Sequence, residues 1–395
     1  MTSPSLLKRV DPFLLMLVIV VTLASLLPAR GVEAVVFEWL ADIAIALLFF
    51  LHGAKLSRQA IVAGIGNLKL HGLTLSATYV VFPLVGLAVV AAVQGWINPL
   101  LVSGVLFLTL LPSTVQSSIA FTSIARGNVA AAVCSASLSN LLGIIVTPLL
   151  VGLLIHSDAS GEGFDWGGVQ AIVIQLLLPF LAGHFLRPLI GKWVDGHKKL
   201  LGPIDRGSIL LVVYSAFSAA VVDGIWQTLG LSDLLWLLGL SAVILAAVMA
   251  YTIGAARVAG LRREDSVVLL FCGSKKSLAS GVPMAGALFA PAEVGMIVLP
   301  LMIFHQLQLF VCAWLAARMA RRVDAAGEAS TDPAPASAPA PSPAPAAVPR
   351  GADAIAAAAA ARGVTIEPAC SDGVAANCDL LASHAARMRG EGTPQ

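Results

Sequence analysis

Leu270-Phe271-Cys272-Gly273-Ser274-Lys275-Lys276-Ser277-Leu278-Ala279-Ser280-Gly281-Val282-Pro283 lies midway through an apolar run, residues 265–290. Crossing a bilayer takes about 20 residues, so the run is long enough. Its centre nevertheless holds two lysines, three serines, two glycines and a proline, poor material for a helix facing lipid. A charge at bilayer depth costs about 2.5–3.5 kcal/mol even on lenient scales, which confines it to a protein interior or a wet cavity. Backbone that leaves the helix there must also find hydrogen-bond partners in protein or water. Earlier in the chain, Leu111-Pro112-Ser113-Thr114-Val115-Gln116-Ser117-Ser118 interrupts a second apolar run, 99–124, at the same depth. Paired interruptions in matching positions of two halves point to the binding site of a secondary transporter.

Composition agrees with that reading. Of the 395 residues, 58% are hydrophobic and 12% charged, against about 25% charged in soluble domains. Mean hydropathy is +0.90. The expected class is an all-α polytopic membrane protein whose surroundings are the lipid bilayer. A net charge of +2 without a basic, aromatic-interleaved cluster excludes a nucleic-acid partner. Five cysteines show no metal-ligand spacing: Cys134, Cys272 and Cys312 fall in apolar runs, Cys370 and Cys378 near the C-terminus. They give no disulfide framework. No His-Glu-x-x-His, no Gly-x-Ser-x-Gly and no paired intramembrane aspartates occur, so an enzyme is not expected and no cofactor is implied.

Hydropathy divides the chain into ten spans: 11–29, 34–52, 70–93, 99–124, 128–155, 168–188, 207–229, 231–255, 265–290 and 293–317. Lys8, Arg9, Lys55, Arg58, Lys69, Arg126, Arg187, Lys192, Lys198, Lys199, Arg206, Arg257, Arg262, Arg263, Arg318, Arg321 and Arg322 fall on one side. The other side holds Arg30 with Glu33, Glu38, Asp158, Glu162, Asp165 and Asp233. The positive-inside rule therefore predicts both termini in the cytoplasm, the expected location being a bacterial inner (plasma) membrane. Ten spans make two sets of five, and five is odd, so repeated halves would be inverted. The expected organisation is a transmembrane domain, 8–322, with repeats 8–156 and 165–322. A cytoplasmic tail, 323–395, turns abruptly to Ala, Pro and Ser, a composition that cannot bury a core and predicts disorder with polyproline character. Residues 353–362 are rich enough in alanine for a helix.

Four segments together resemble the bile acid:sodium symporter family. They are Phe50-Leu51-His52-Gly53-Ala54-Lys55-Leu56-Ser57, Ala125-Arg126-Gly127-Asn128-Val129-Ala130, the Gly273-to-Pro283 stretch, and Pro300-Leu301-Met302-Ile303-Phe304-His305-Gln306. The resemblance covers residues 8–322. Phe271-Cys272-Gly273-Ser274-Lys275-Lys276-Ser277 is most similar to a divergent branch whose eukaryotic members are linked to calcium regulation. The resemblance implies a panel of spans 1, 2, 6 and 7, and a core of 3–5 and 8–10 in which spans 4 and 9 unwind and cross. It also implies sodium ligands that this sequence lacks. The family's glutamate and glutamine in span nine fall on Phe271 and Lys275, its Ser-Asn pair on Ser118 and Ile119, and its span-five hydroxyls on Ala132 and Ala136. Sodium is then not used as in those relatives, and sodium or a proton stays open as the coupling ion.

The candidate substrate or ion-binding residues each carry two readings. Lys275 or Lys276, about 100° apart on a helix, supplies positive charge at the crossing, or both reach water or pair with a carboxylate such as Asp42. Ser274 and Ser277 flank them. Ser113, Thr114, Gln116, Ser117 and Ser118 bind solute around the break, or let helices approach closely. Ser135, Ser137, Ser139 and Asn140 share that ambiguity in span five, Asn140 being the costliest of the four to bury. In span ten, His305 shuttles protons or satisfies one hydrogen bond, with Gln306 and Gln308 as interior hydrogen-bond partners. The expected function is secondary transport of a small organic, anionic or amphipathic solute by alternating access. The competing class is a membrane regulator of another ion-transport system, such as calcium homeostasis. Protein partners and oligomeric state are not legible.

Overall fold

The computed structural model describes residues 12–55, 67–93, 95–155, 166–329, 349, 351–361 and 371–388. All secondary structure among them is helical. Each of the ten apolar runs contains helix: α1 (Pro12–Leu26), α2 (Val32–Lys55), α3 (Leu68–Val93), α4 (Pro99–Leu110), α5 (Gln116–Ile124), α6 (Val129–Leu154), α7 (Trp166–Gly196), α8 (Lys198–Val222), α9 (Leu231–Val258), α10 (Arg263–Gly273), α11 (Leu278–Leu288) and α12 (Pro291–Ala329). Among the described residues six helices, α2, α3, α6, α8, α9 and α12, are long and apolar enough to cross a membrane in one piece. The fourth and ninth runs are each split, into α4 with α5 and α10 with α11.

Residues 1–328 form one compact unit and 329–395 a second. In the second, α13 (Ala352–Ala360) coincides with the alanine-rich stretch, and α14 (Ser371–Met388) packs on it. The Pro-rich stretch from Asp332 to Ala347, expected to be extended, lies outside the described residues.

Within the first unit the helices sort into two packed groups. In one, α2 lies along α7 and α8, and α1 along α8. In the other, α10 packs on α3, α5, α6 and α9, and α4 on α3 and α6. Two links join the groups: α6 packs on α7, and α11, one half of a broken run, meets α2, α7 and α8. Lipid gives helices no hydrophobic reason to associate, so close backbone approach and polar bonds must do it. The α2–α7 crossing shows the first device. A Cβ on Gly53 would collide with the Phe180 carbonyl oxygen, and a Cβ on Gly183 with the Phe50 carbonyl oxygen. Each glycine sits three residues after the phenylalanine whose carbonyl its counterpart meets, so the two helices approach with a local two-fold relation. The ion pair of Lys55 with Asp205 and the Arg187 guanidinium on the Ala54 carbonyl close one end.

Gly53→Val is therefore expected to destabilise the protein by about 1–3 kcal/mol or more, the range for overpacking, because the obstacle is main chain and cannot swing aside. Gly72→Val, where an added Cβ meets nothing within 4 Å, is the control and should leave the melting temperature unchanged. Thermal unfolding of the detergent-solubilised variants reads both.

Candidate functional site at the crossing of two broken helices

The first break follows from one proline. Pro112 offers no N–H, and the residue before a proline is pushed out of the α region; Leu111 accordingly sits at φ −76, ψ 158. The chain runs irregularly to Gln116, where α5 begins. The second break lies between Gly273 and Leu278, where the Ser277 hydroxyl caps α11 by accepting the Ser280 N–H at 3.1 Å. The two breaks meet: the Ser277 N–H donates to the Pro112 carbonyl at 2.9 Å.

The last carbonyls of a helix have no partner of their own, and here three serines supply them. Ser274 Oγ donates to Leu270 O at 2.5 Å, Ser118 Oγ to Phe271 O at 3.0 Å, and Ser113 Oγ to Cys272 O at 2.5 Å. Two of those hydroxyls come from the other broken run. Asn140, projecting from α6, binds both breaks at once. Its Nδ2 donates to Ser113 O at 2.6 Å and to Ala136 O at 3.1 Å, and its Oδ1 accepts from Ser280 Oγ at 2.9 Å. Ser139 Oγ accepts the Ser113 N–H at 3.0 Å, and the Ser139 carbonyl takes the Tyr79 hydroxyl at 2.5 Å.

The lysines lie inside this knot, both with zero exposure. They differ in how they are held. Lys276 Nζ donates to Leu111 O at 2.6 Å and Thr78 O at 2.9 Å, and stands 4.1 Å from the Phe82 ring centroid. Its peptide is clamped by the Gln308 carboxamide. Oε1 accepts the Lys276 N–H at 2.8 Å, and Nε2 donates to the Lys276 carbonyl at 2.9 Å. Lys275 Nζ makes one long hydrogen bond, 3.3 Å to Ser117 Oγ, and lies 4.4 Å from the Phe121 ring and 5.8 Å from the Phe271 ring. Ser117 is half-buried and Gln116 exposed, so the Lys275 ammonium lies one hydroxyl beneath the surface. Among the described residues no carboxylate is within ion-pair distance of either lysine. Asp42, the carboxylate suggested from the sequence, is exposed on α2.

The remaining expected residues divide. Thr114 Oγ1 bonds Ser117 Oγ at 2.8 Å and Ser118 Oγ at 3.0 Å, beside Lys275. His305 Nδ1 meets Gln308 Nε2 at 2.8 Å, behind the Lys276 peptide. Ser135 turns away and bonds His71 Nδ1 at 2.8 Å. Among the described residues no hydrogen bond brings Ser137 or Gln306 to the crossing. Gln308 has the interior hydrogen-bonding use expected of it, whereas the carbonyls of Thr78 and Leu111 leave no side-chain signal in the sequence.

One end of the same helix group is tied by Asp265, buried in the first turn of α10. It accepts Asn67 Nδ2 at 3.3 Å and Asn128 Nδ2 at 3.0 Å. Those asparagines cap α3 and α6, so one carboxylate joins three helix starts, where negative charge is favoured. The neighbouring Arg126, with φ 58, turns the chain, and the Arg263 guanidinium holds the carbonyls of Ala125 and Arg126. This motif is structural.

Residues 11–321 match the model of the SBF-like CPA transporter family. The chain belongs to that family. It is a family of transporters, not of enzymes, and its member here is a multi-pass integral membrane protein. An uncharacterised protein of Pseudomonas aeruginosa is 55% identical over 320 residues, covering 81% of this chain and 96% of the relative. The candidate symporter YfeH of Escherichia coli is 52% identical over 332 residues, 83% of this chain and 99% of that protein. Sodium/bile acid cotransporter 7 of Danio rerio is 26% identical over 309 residues, 77% of this chain and 91% of the relative. The similarity to the bile acid:sodium symporter group, expected from four short segments, thus extends through the helical unit.

Proposed function

We propose that the protein is a secondary transporter of a small organic solute, anionic or amphipathic, working by alternating access. In this reading α1, α2, α7 and α8 form the panel and the other helices of the unit the core. The whole makes ten crossings in two inverted halves, with both termini on the cytoplasmic side of a bacterial inner membrane. The observation that carries it is the interlock of the two breaks around Lys275 and Lys276. Irregular backbone at membrane depth is tolerated where it lines a cavity or is buried in protein, and it is there that carriers bind their cargo. Two ammonium groups with no carboxylate within ion-pair distance among the described residues favour an anion. A relative named for sodium and bile acid, at 26% identity, supports an amphipathic anion as the class. The sodium of that name is not carried over, since Lys276 already occupies main-chain oxygens at the crossing and Phe271 replaces an acidic ligand.

Reconstituted protein is expected to take up organic anions into proteoliposomes, driven by a proton gradient and indifferent to replacement of sodium by choline. Uptake of no anion across a panel of monocarboxylates, dicarboxylates and bile-acid-like amphiphiles would remove the reading, and uptake driven by sodium alone would overturn its coupling.

A further inference from the structure

The oxygens that hold Lys276 are both orphans made by prolines. Ala77–Val81 is a π-helical turn within α3, and the Phe82 N–H there bonds Ala77 O. The next bond in that register would run from residue 83 to Thr78 O. Residue 83 is proline, which has no N–H to give. Leu111 O belongs to the extended residue before Pro112, out of reach of any helical donor. Both carbonyls converge on one point, 2.9 and 2.6 Å from Lys276 Nζ, with the face of Phe82 4.1 Å away. Converging carbonyl dipoles backed by an aromatic face make a receptor for a monovalent cation.

We propose that Lys276 is a tethered cation filling a site built by Pro83 and Pro112, and that removing its side chain leaves a receptor for a small primary ammonium ion. The native protein then binds no free cation at this point. One charge also holds the π-turn of α3 to the break between α4 and α5, so the two move as one body. The inference stands whatever solute is carried, because it concerns how the crossing is held.

The probe follows from the geometry. Lys276→Ala deletes Cγ, Cδ, Cε and Nζ, the heavy atoms of n-propylamine. Purified full-length Lys276→Ala in detergent is expected to melt about 5 °C or more below the wild type, two hydrogen bonds to a charged group being lost. n-Propylammonium at millimolar concentration should restore most of that loss. Tetramethylammonium, which has no N–H, and neutral n-propanol should restore none. Lys275→Ala and the wild type should not respond to n-propylammonium. Equal rescue by n-propanol, or no rescue by n-propylammonium, overturns the proposal.

A second pair of variants covers failure of the alanine variant to fold. Pro83→Ala returns an N–H that can reach Thr78 O. The melting-temperature loss caused by Lys276→Met should therefore shrink by about half in the Pro83→Ala background, a coupling measured by the double-mutant cycle. A loss of the same size in both backgrounds shows that Pro83 does not create the vacancy and overturns the proposal.

Discussion

Lys275→Met is expected to lower anion uptake about a hundredfold or more while leaving the melting temperature within a few degrees of wild type. The two lysines are adjacent in sequence but unequal in their bonds. Lys276 has two short hydrogen bonds to carbonyls, whereas Lys275 has one of 3.3 Å, to a half-buried hydroxyl. Its folded-state support is chiefly the faces of Phe121 and Phe271, about 0.5–2 kcal/mol for a cation over a ring. Methionine fills much of the lysine stem's volume and adapts to irregular space, and it relieves the cost of burying an unpaired ammonium. Loss and relief are of similar size, so stability should barely change. Transport is different. An anion drawn against Lys275 is itself desolvated, and stripping the partner from a buried charge costs about 3–5 kcal/mol. At about 1.4 kcal/mol per tenfold, that is a loss of about two to three and a half orders of magnitude. Lys275→Arg keeps the charge on a longer fork and should retain measurable uptake. Wild-type rates from Lys275→Met, with protein level and melting matched, would remove the anion-countering role.

How much of this was legible before any coordinates depends on whether the signal lay in side chains or main chain. The breaks were legible because prolines, glycines and mid-run lysines have few uses in a lipid-facing helix. That Lys276, not Lys275, is the anchored one was not. The deciding groups are the carbonyls of Thr78 and Leu111, and any residue has a carbonyl. Only the position of Pro83 hinted that Thr78 O lacked a donor, and that hint needs the π-register to be known. In α12 helical phase sorts residues that residue type alone does not. His305 and Gln308 are three residues apart and share a face, whereas Gln306 is turned about 100° from His305. Gln308 accordingly bonds His305 and clamps Lys276, and Gln306 does neither. Phase does not decide in the same way in α6: Ser137 stands three residues from Asn140, yet it is the adjacent Ser139 that joins the knot. In the sequence the serines of the breaks suit solute binding or close packing, and in the fold a third use takes several of them. Ser113, Ser118 and Ser274 each satisfy a stranded carbonyl of α10.

Asn140→Leu is expected to cost more stability than the loss of any single hydroxyl at the crossing. The substitution is close in volume, so the cost comes from hydrogen bonds. An interhelical side-chain hydrogen bond in a membrane is worth on average about 0.6 kcal/mol, because the separated helices find other partners. That average does not apply to Ser113 O. It is a main-chain oxygen in a non-helical segment, buried, held 2.6 Å from Asn140 Nδ2, and it cannot rotate away as a hydroxyl can. Leaving such a group unpaired costs about 1–3 kcal/mol. Ala136 O remains within its helix and loses little. Ser280 Oγ loses its acceptor, but the hydroxyl is free to turn toward a carbonyl one turn back. The sum is about 2–4 kcal/mol, or about 3–6 °C in melting temperature for a chain of this size. Ser280→Ala should by contrast cost under about 1 kcal/mol, and in the Asn140→Leu background it should cost nothing further, since the oxygen it bonded is already gone. If Ser280→Ala alone matched Asn140→Leu, the loss would reside in the hydroxyl, and the stranded carbonyl of Ser113 would not be what holds the two breaks together.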